Sequence, residues 1–168
     1  MSRETSDYAD EFDAFFDDHY PAMIRSLSLI TGDEQLAADA VQDAFVRAYS
    51  RWNRIRRYDR PDAWVRRVAI NRSKDHFRAA SRRRTYEERA AVPESVPSTD
   101  HRYDDGELVH RLLADLPRRQ RVAVTLFYLE GLSVAEIAAS MGITSGAVKF
   151  HLSKGRARMA PVLREEVR

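Results

Sequence analysis

Residues 131–159 read GLSVAEIAASMGITSGAVKFHLSKGRARM and hold two helix starts on either side of one glycine stop. Ser133 precedes an apolar run and Glu136 follows three residues later, the spacing of a capping box in which each side chain bonds a backbone amide of the other's turn. Val134, Ile137, Ala138 and Met141 then recur at helical spacing. Gly142 can take the left-handed conformation that ends a helix. Thr144 is placed to cap a second helix, with Val148 and Leu152 one turn apart on a single face and Lys149, Phe150, His151 and Lys154 pointing largely elsewhere. Two helices joined by a short glycine-bearing turn have the geometry that lays the second helix in the DNA major groove. The competing reading is an ordinary helical hairpin with a solvated cationic face; the several matching features favour a DNA reader, with Thr144, Lys149, Phe150, His151 and Lys154 as its candidate contacts.

The chain has 168 residues, 43% apolar and 32% charged, the composition of a globular protein of one domain or two small ones. Its formal net charge of +2 conceals blocks. Residues 1–46 carry 2 Lys+Arg against 11 Asp+Glu, 47–84 carry 14 against 3, 85–117 carry 3 against 8, and 118–168 carry 9 against 4. Two basic blocks alternating with two acidic ones suggest two separate polyanion contacts in one chain, with acidic surface left for a basic protein partner or for solubility. The absence of cysteine removes disulfides, thiolate chemistry and cysteine-based zinc sites and suits a cytoplasmic location. No apolar run reaches membrane-spanning length and the acidic N-terminus lacks the order of a signal peptide, so no membrane insertion is expected. Six glycines, six prolines and no persistent alternation of apolar and polar residues predict an all-α fold.

From the N-terminus, Phe12, Phe15, Phe16, Tyr20, Ile24 and Leu27 mark an apolar helical face running toward Gly32, with Pro21 either kinking one helix or starting a second. Asp33 is a candidate cap for the next helix, whose buried stripe is Ala37, Val41, Ala44, Phe45, Ala48 and Trp52. Its other face carries Asp39, Gln42 and Asp43; with no histidine at ligand spacing these form a solvated or partner-binding acidic patch, and no metal site is expected. The segment 53–64 is basic and broken by Pro61, a loop leading into a helix from about Asp62 to Arg83. On that helix Trp64, Val65, Val68, Ala69 and Phe77 supply a drifting apolar side, while Arg67, Asn71, Lys74 and Arg78 form one stripe. Arginine and lysine hold phosphates, whereas an Asn amide can match a base edge. With Tyr58 and Trp64 available to stack on bases, the block points to single-stranded or melting DNA rather than to a solvated flank.

Residues 85–106 are rich in Pro, Ser, Thr and Asp and read as a linker. Helical periodicity returns at Glu107, is interrupted at Pro117, and resumes up to Gly131. The division is 1–84, linker 85–106, and 107–168. A linker of 22 residues spans up to roughly 75 Å at about 3.4 Å per residue, enough for two readers on sites nearly two DNA turns of about 34 Å apart. The five histidines show no metal or triad spacing, and there is no phosphate loop or nucleophile motif, so neither an enzyme nor a cofactor is expected.

The order of parts resembles the extracytoplasmic-function, or group IV, sigma factors of the sigma-70 family over nearly the whole chain. DAVQDAFVRAYSRW at 39–52 resembles the family's region 2.2, RPDAWVRRVAINRSKDHFR at 60–78 regions 2.3 and 2.4, and the stretch from LADLPRRQRV to GRARM region 4. The resemblance implies two small helical domains that make a specificity subunit of bacterial RNA polymerase. It implies core polymerase (clamp helices and flap) and promoter DNA as partners, with an anti-sigma factor as a further candidate. By position, Asp39, Gln42 and Asp43 would contact the clamp helices, Asn71 in WVRRVAIN an exposed minus-ten base, and the loop from Ile55 to Arg60 a flipped one. Region 4 would read the minus-thirty-five element, where Phe150 and His151 depart from the small or basic residues of many relatives. An alternative is a response-regulator-type helix-turn-helix factor, since VKFHLSKGRARM resembles that class too. It would need a receiver domain of alternating strands and helices, which residues 1–84 do not show. A DNA-processing enzyme with an attached helix-turn-helix would need a nucleophile or metal cluster that the sequence lacks.

Overall fold

A computed structural model describes residues 2–88 and 105–166, with side chains described for 7–76, 82 and 106–164. Among the described residues the secondary structure is helix alone: α1 Ser2–Thr31, α2 Glu34–Ser50, α3 Trp52–Ile55, α4 Pro61–Glu88, α5 Asp105–Ala114, α6 Arg118–Tyr128, α7 Val134–Met141 and α8 Ser145–Glu166.

Pro21 neither breaks α1 nor starts a new helix. It is exposed, as is Asp17 one turn before it, so the carbonyl left without a helical amide faces water rather than core. α1 ends at Gly32, whose amide bonds the Ser28 carbonyl, and Asp33 at once caps α2 by accepting the Leu36 amide at 3.0 Å. The stripe expected on α2 is buried in full, Ala37, Val41, Ala44, Phe45 and Ala48, with Trp52 just beyond on α3. Facing it, Phe12, Met23, Leu27 and Ile30 of α1 are buried. The seam is aromatic: the Phe45 ring lies 5.0 Å from Phe16, 5.5 Å from Tyr20 and 6.0 Å from Phe15, and Phe12 meets Trp52 edge-on at 5.2 Å.

Part of the expected loop between α2 and α4 is the single turn α3. α4 starts on Pro61, where a missing amide costs nothing, and runs past Arg83 to Glu88. No glycine or proline stands between Arg83 and Pro93 to stop it earlier. The helical part of the expected linker therefore begins as a continuation of α4, and residues 89–104 lie outside the described residues.

In the C-terminal half, α6 stops at Tyr128, three residues short of Gly131. The helix-turn-helix forms as its local chemistry dictates. Glu136 donates its backbone amide to Ser133 Oγ at 3.2 Å while its carboxylate accepts the Ser133 amide at 2.7 Å. Gly142 sits at φ +66°, and Thr144 accepts the Ala147 amide at 3.2 Å to open α8. Val148 and Leu152 are buried, and α8 comes so close to α6 at Gly155 that an added Cβ would lie 2.7 Å from Val124 Cγ2. The two halves are not beads on a string: one cluster of buried residues runs from Phe12 to Leu152, and α7 packs on α4 while α5 and α6 pack on α1.

Candidate polymerase and promoter interfaces

The acidic patch on α2 is partly engaged locally. Asp39 is half-buried and accepts the Gln35 side-chain amide at 3.0 Å. Gln42 and Asp43 are exposed, with Asp43 Oδ2 at 3.2 Å from His76 Nε2 on α4. Gln42 also borders an apolar groove of about 310 Å³ lined by Phe12, Phe16, Tyr20, Phe45, Val46 and Tyr49. Val46 and Tyr49 are exposed, so charge and apolar surface lie side by side there.

On α4 the stripe expected from spacing is a surface feature: Arg67, Asn71 and Lys74 are all exposed. The side chains of Arg78 and Phe77 lie outside the described residues. Tyr58 and Trp64 are half-buried and pack against the core, so only part of each ring is open for stacking. On α8, Lys149, Phe150 and Lys154 are exposed, and the Lys154 ammonium sits 5.7 Å from the Phe150 ring centre. Thr144 is occupied as the cap. His151 differs from its neighbours: it is half-buried, its Nδ1 is buried without a partner, and burial followed by repulsion from Arg119 lowers its pKa below the ordinary value. Spacing placed His151 beside Phe150 on the reading face; the proximity of α6 turns part of its ring inward.

The sequence gave no sign of a polar seam between the halves. Asp62, in the first turn of α4, accepts Arg60 Nη2 at 2.8 Å and Arg66 Nη1 at 3.2 Å. Arg66 is buried and reaches across to Glu130 Oε2 with Nη2 at 2.8 Å and Nε at 3.1 Å. Arg60 reaches Glu136 Oε1 at 2.8 Å. Burial pushes the Asp62 carboxyl up, but the hydrogen bonds from Arg60 and Arg66 and the attraction of both outweigh it and hold the pKa at about 2. Bonds from the Ser133 backbone and side chain, with help from Arg60, likewise lower Glu136. Arg118 adds a bond of 2.8 Å to the Ile70 carbonyl and another of 2.8 Å to Ser73 Oγ, beside Asn71. An apolar groove of about 360 Å³ opens on the far side of the C-terminal half, lined by Val109, Leu112, Tyr128, Leu129, Met159 and Leu163 among others.

None of the described residues forms a cluster suited to a metal ion, and no helix among them is long and apolar enough to cross a membrane. The arrangement offers two exposed cationic helix faces and two apolar grooves, a set fitted to binding rather than to bond-making.

Comparison with known proteins agrees. The family model described as sigma-70 region 2 matches residues 15–83, and the one described as sigma-70 region 4 matches 106–159. The RNA polymerase sigma-E factor of Streptomyces avermitilis is 34% identical over 158 residues, covering 94% of this chain and 85% of the relative. The ECF RNA polymerase sigma factor SigM of Mycobacterium tuberculosis is 30% identical over 154 residues, covering 90% of this chain and 76% of SigM. Among solved structures, the sigma factor RpoE in complex with the anti-sigma factor NepR from Bartonella quintana shares the fold, with a TM-score of 0.74 at 23% identity over 92% of this chain and 97% of that one.

Proposed function

Since this chain belongs to the extracytoplasmic-function group of the sigma-70 family and directs promoter-specific transcription initiation, we propose a division of that work among its surfaces. The segment 1–84 binds the clamp helices of core polymerase through Asp39, Gln42 and Asp43 and handles the minus-ten element. The segment 107–168 reads the minus-thirty-five element, and 85–106 joins them. The chain acts in the cytoplasm as a non-catalytic subunit. The observation that carries the assignment is that Arg67, Asn71 and Lys74 stand exposed in one row on α4 inside the matched region 2. The cations hold the strand by its phosphates, and the amide between them meets a base that has left the stack. Arg78 extends the row by spacing, and the open parts of Tyr58 and Trp64 supply stacking surface.

On α8, Lys149 and Lys154 act on phosphates, while Phe150 meets a thymine methyl and the open edge of His151 flanks it, with Thr144 fixing the entry of the helix. The apolar groove bounded by Tyr128, Leu129 and Leu163 is the surface offered to the polymerase flap. An anti-sigma factor is a further proposed partner, since the RpoE chain of like fold was solved bound to one.

Asn71→Ala tests the minus-ten assignment. It leaves core polymerase binding and helicity intact, lowers open-complex formation on a double-stranded promoter, and loosens one minus-ten base preference by about 1–3 kcal/mol. A premelted promoter retains the preference defect, because opening no longer limits but reading still does. Normal permanganate footprints together with an unchanged base preference would make Asn71 a solvated flank residue.

A further inference from the structure

The two reader helices are held much closer than a promoter requires. α4 packs directly on α7, the helix joined to the α8 reader by the short turn at Gly142. Packed helix axes lie about 8–10 Å apart. Elements nearly two turns apart on a duplex, at about 34 Å per turn, are out of reach of both readers in this arrangement. The seam that maintains it also occupies residues of the minus-ten side. Arg60, at the end of the loop before α4, is bonded to Glu136, and the guanidinium of Arg67 lies so close to Gly142 that an added Cβ there would fall 2.7 Å from Arg67 Cζ.

The chemistry of the seam differs from that of a permanent core. Its cross-links are ionic, between Arg66 and Glu130 and between Arg60 and Glu136, with Asp62 holding both arginines in position from the α4 side. Packing is incomplete: a polar cavity of about 550 Å³ lies there, bordered by His19, Arg25, Arg60, Asp62, Glu130 and Glu136 among others. Glu130 Oε1 is buried without a partner, so the glutamate does not obtain all the bonds its burial calls for. Ion pairs with exposed members weaken in salt and exchange for phosphate oxygens, whereas apolar burial does neither.

We propose that Glu130 and Glu136 of the helix-turn-helix half clasp Arg66 and Arg60 of the N-terminal half and hold the free chain in a closed, promoter-incompetent state. Opening exchanges carboxylates of the chain for phosphates of DNA at Arg60 and leaves the linker to set the spacing of the readers. The inference rests on the assignment of α4 to the minus-ten strand.

The test uses the full chain, which has no cysteine of its own, with Ser50→Cys and Arg158→Cys labelled for energy transfer. Glu130→Gln with Glu136→Gln removes both carboxylate charges in near-isosteric form. Gln also serves at the third position of a capping box, so α7 keeps its start. Glu107→Gln with Asp115→Asn, both exposed in the same half, is the charge-matched control. The expected result is high transfer in the parent and the control and low transfer in the clasp variant. Affinity for a randomised twelve-nucleotide single strand rises at least threefold over the control, because a competent state once scarce is now populated. Equal transfer in the clasp variant and the control overturns the clasp. Low transfer with affinity no greater than the control's overturns its inhibitory role, and if Asn71→Ala also leaves that affinity untouched the α4 assignment has failed as well. Should the double variant lose helicity, Glu136→Gln alone is judged by the same criteria.

Discussion

The α1–α2 seam and the α4–α7 seam join helices of the same chain by opposite means. The first interleaves Phe12, Phe15, Phe16, Tyr20, Phe45 and Trp52 with the small residues Ala37, Ala40, Ala44 and Ala48, so rings fill the space that short side chains leave. The second sets buried Arg66 against Glu130, with side-chain exposures of 4% and 6%, and leaves a polar cavity beside them. Apolar burial is non-directional and stabilises each half on its own account. A buried ion pair recovers in attraction roughly what its desolvation costs, so it fixes an arrangement more than it strengthens one. The difference teaches which seam belongs to the folded unit and which is free to part when a polyanion competes for the arginines.

The sharpest way to break the comparison is Phe45→Ala. Removing a ring that touches four other aromatics costs about 3–5 kcal/mol, read as a lowered urea midpoint with loss of helicity in the N-terminal half. An equal loss of helicity from Glu130→Gln would show that the ionic seam is as essential as the aromatic one.

A smaller effect is expected from acid. The Asp62 pKa of about 2 lies below its ordinary 3.8, so the carboxylate binds a proton less readily in the folded chain than in the unfolded one. Its contribution is therefore present in full above pH 3.8 and is lost as pH falls through 3.8 toward 2. The gap corresponds to about 2 kcal/mol at about 1.36 kcal/mol per pKa unit. Urea midpoints measured from pH 5 to pH 2 fall less steeply in Asp62→Asn than in the parent; parallel curves would remove Asp62 from the seam.

Smallest is the effect at Arg56, which pairs with Glu11 at 2.7 Å with side-chain exposures of 36% and 45%. Being exposed, this pair contributes at most about 0.5 kcal/mol, and Arg56→Ala leaves the thermal midpoint within about 2 °C. A larger drop would mean that exposed ion pairs matter here as much as the half-hidden one at Arg60.

Much was legible from the sequence because it depends on neighbours three or four residues away. The buried stripe of α2, the Asp33 cap, the reciprocal bonds of Ser133 and Glu136, the stop at Gly142 and the exposed row of Arg67, Asn71 and Lys74 follow from helical periodicity and local hydrogen bonding. The family also followed, since its motifs are local runs in a fixed order. The tertiary structure alone decided how the halves meet. Arg66 and Glu130 stand 64 residues apart and Arg60 and Glu136 stand 76 apart, and nothing periodic marks two charges as partners in a chain that is 32% charged. Glu136 already had a complete local role as a capping residue, which concealed its second one, and Arg66 looked like one more cation of a basic block until packing removed it from water. His151 shows the same limit: its angular position on α8 was legible, but whether solvent or α6 lies on that side depends on a neighbour that only the folded chain supplies.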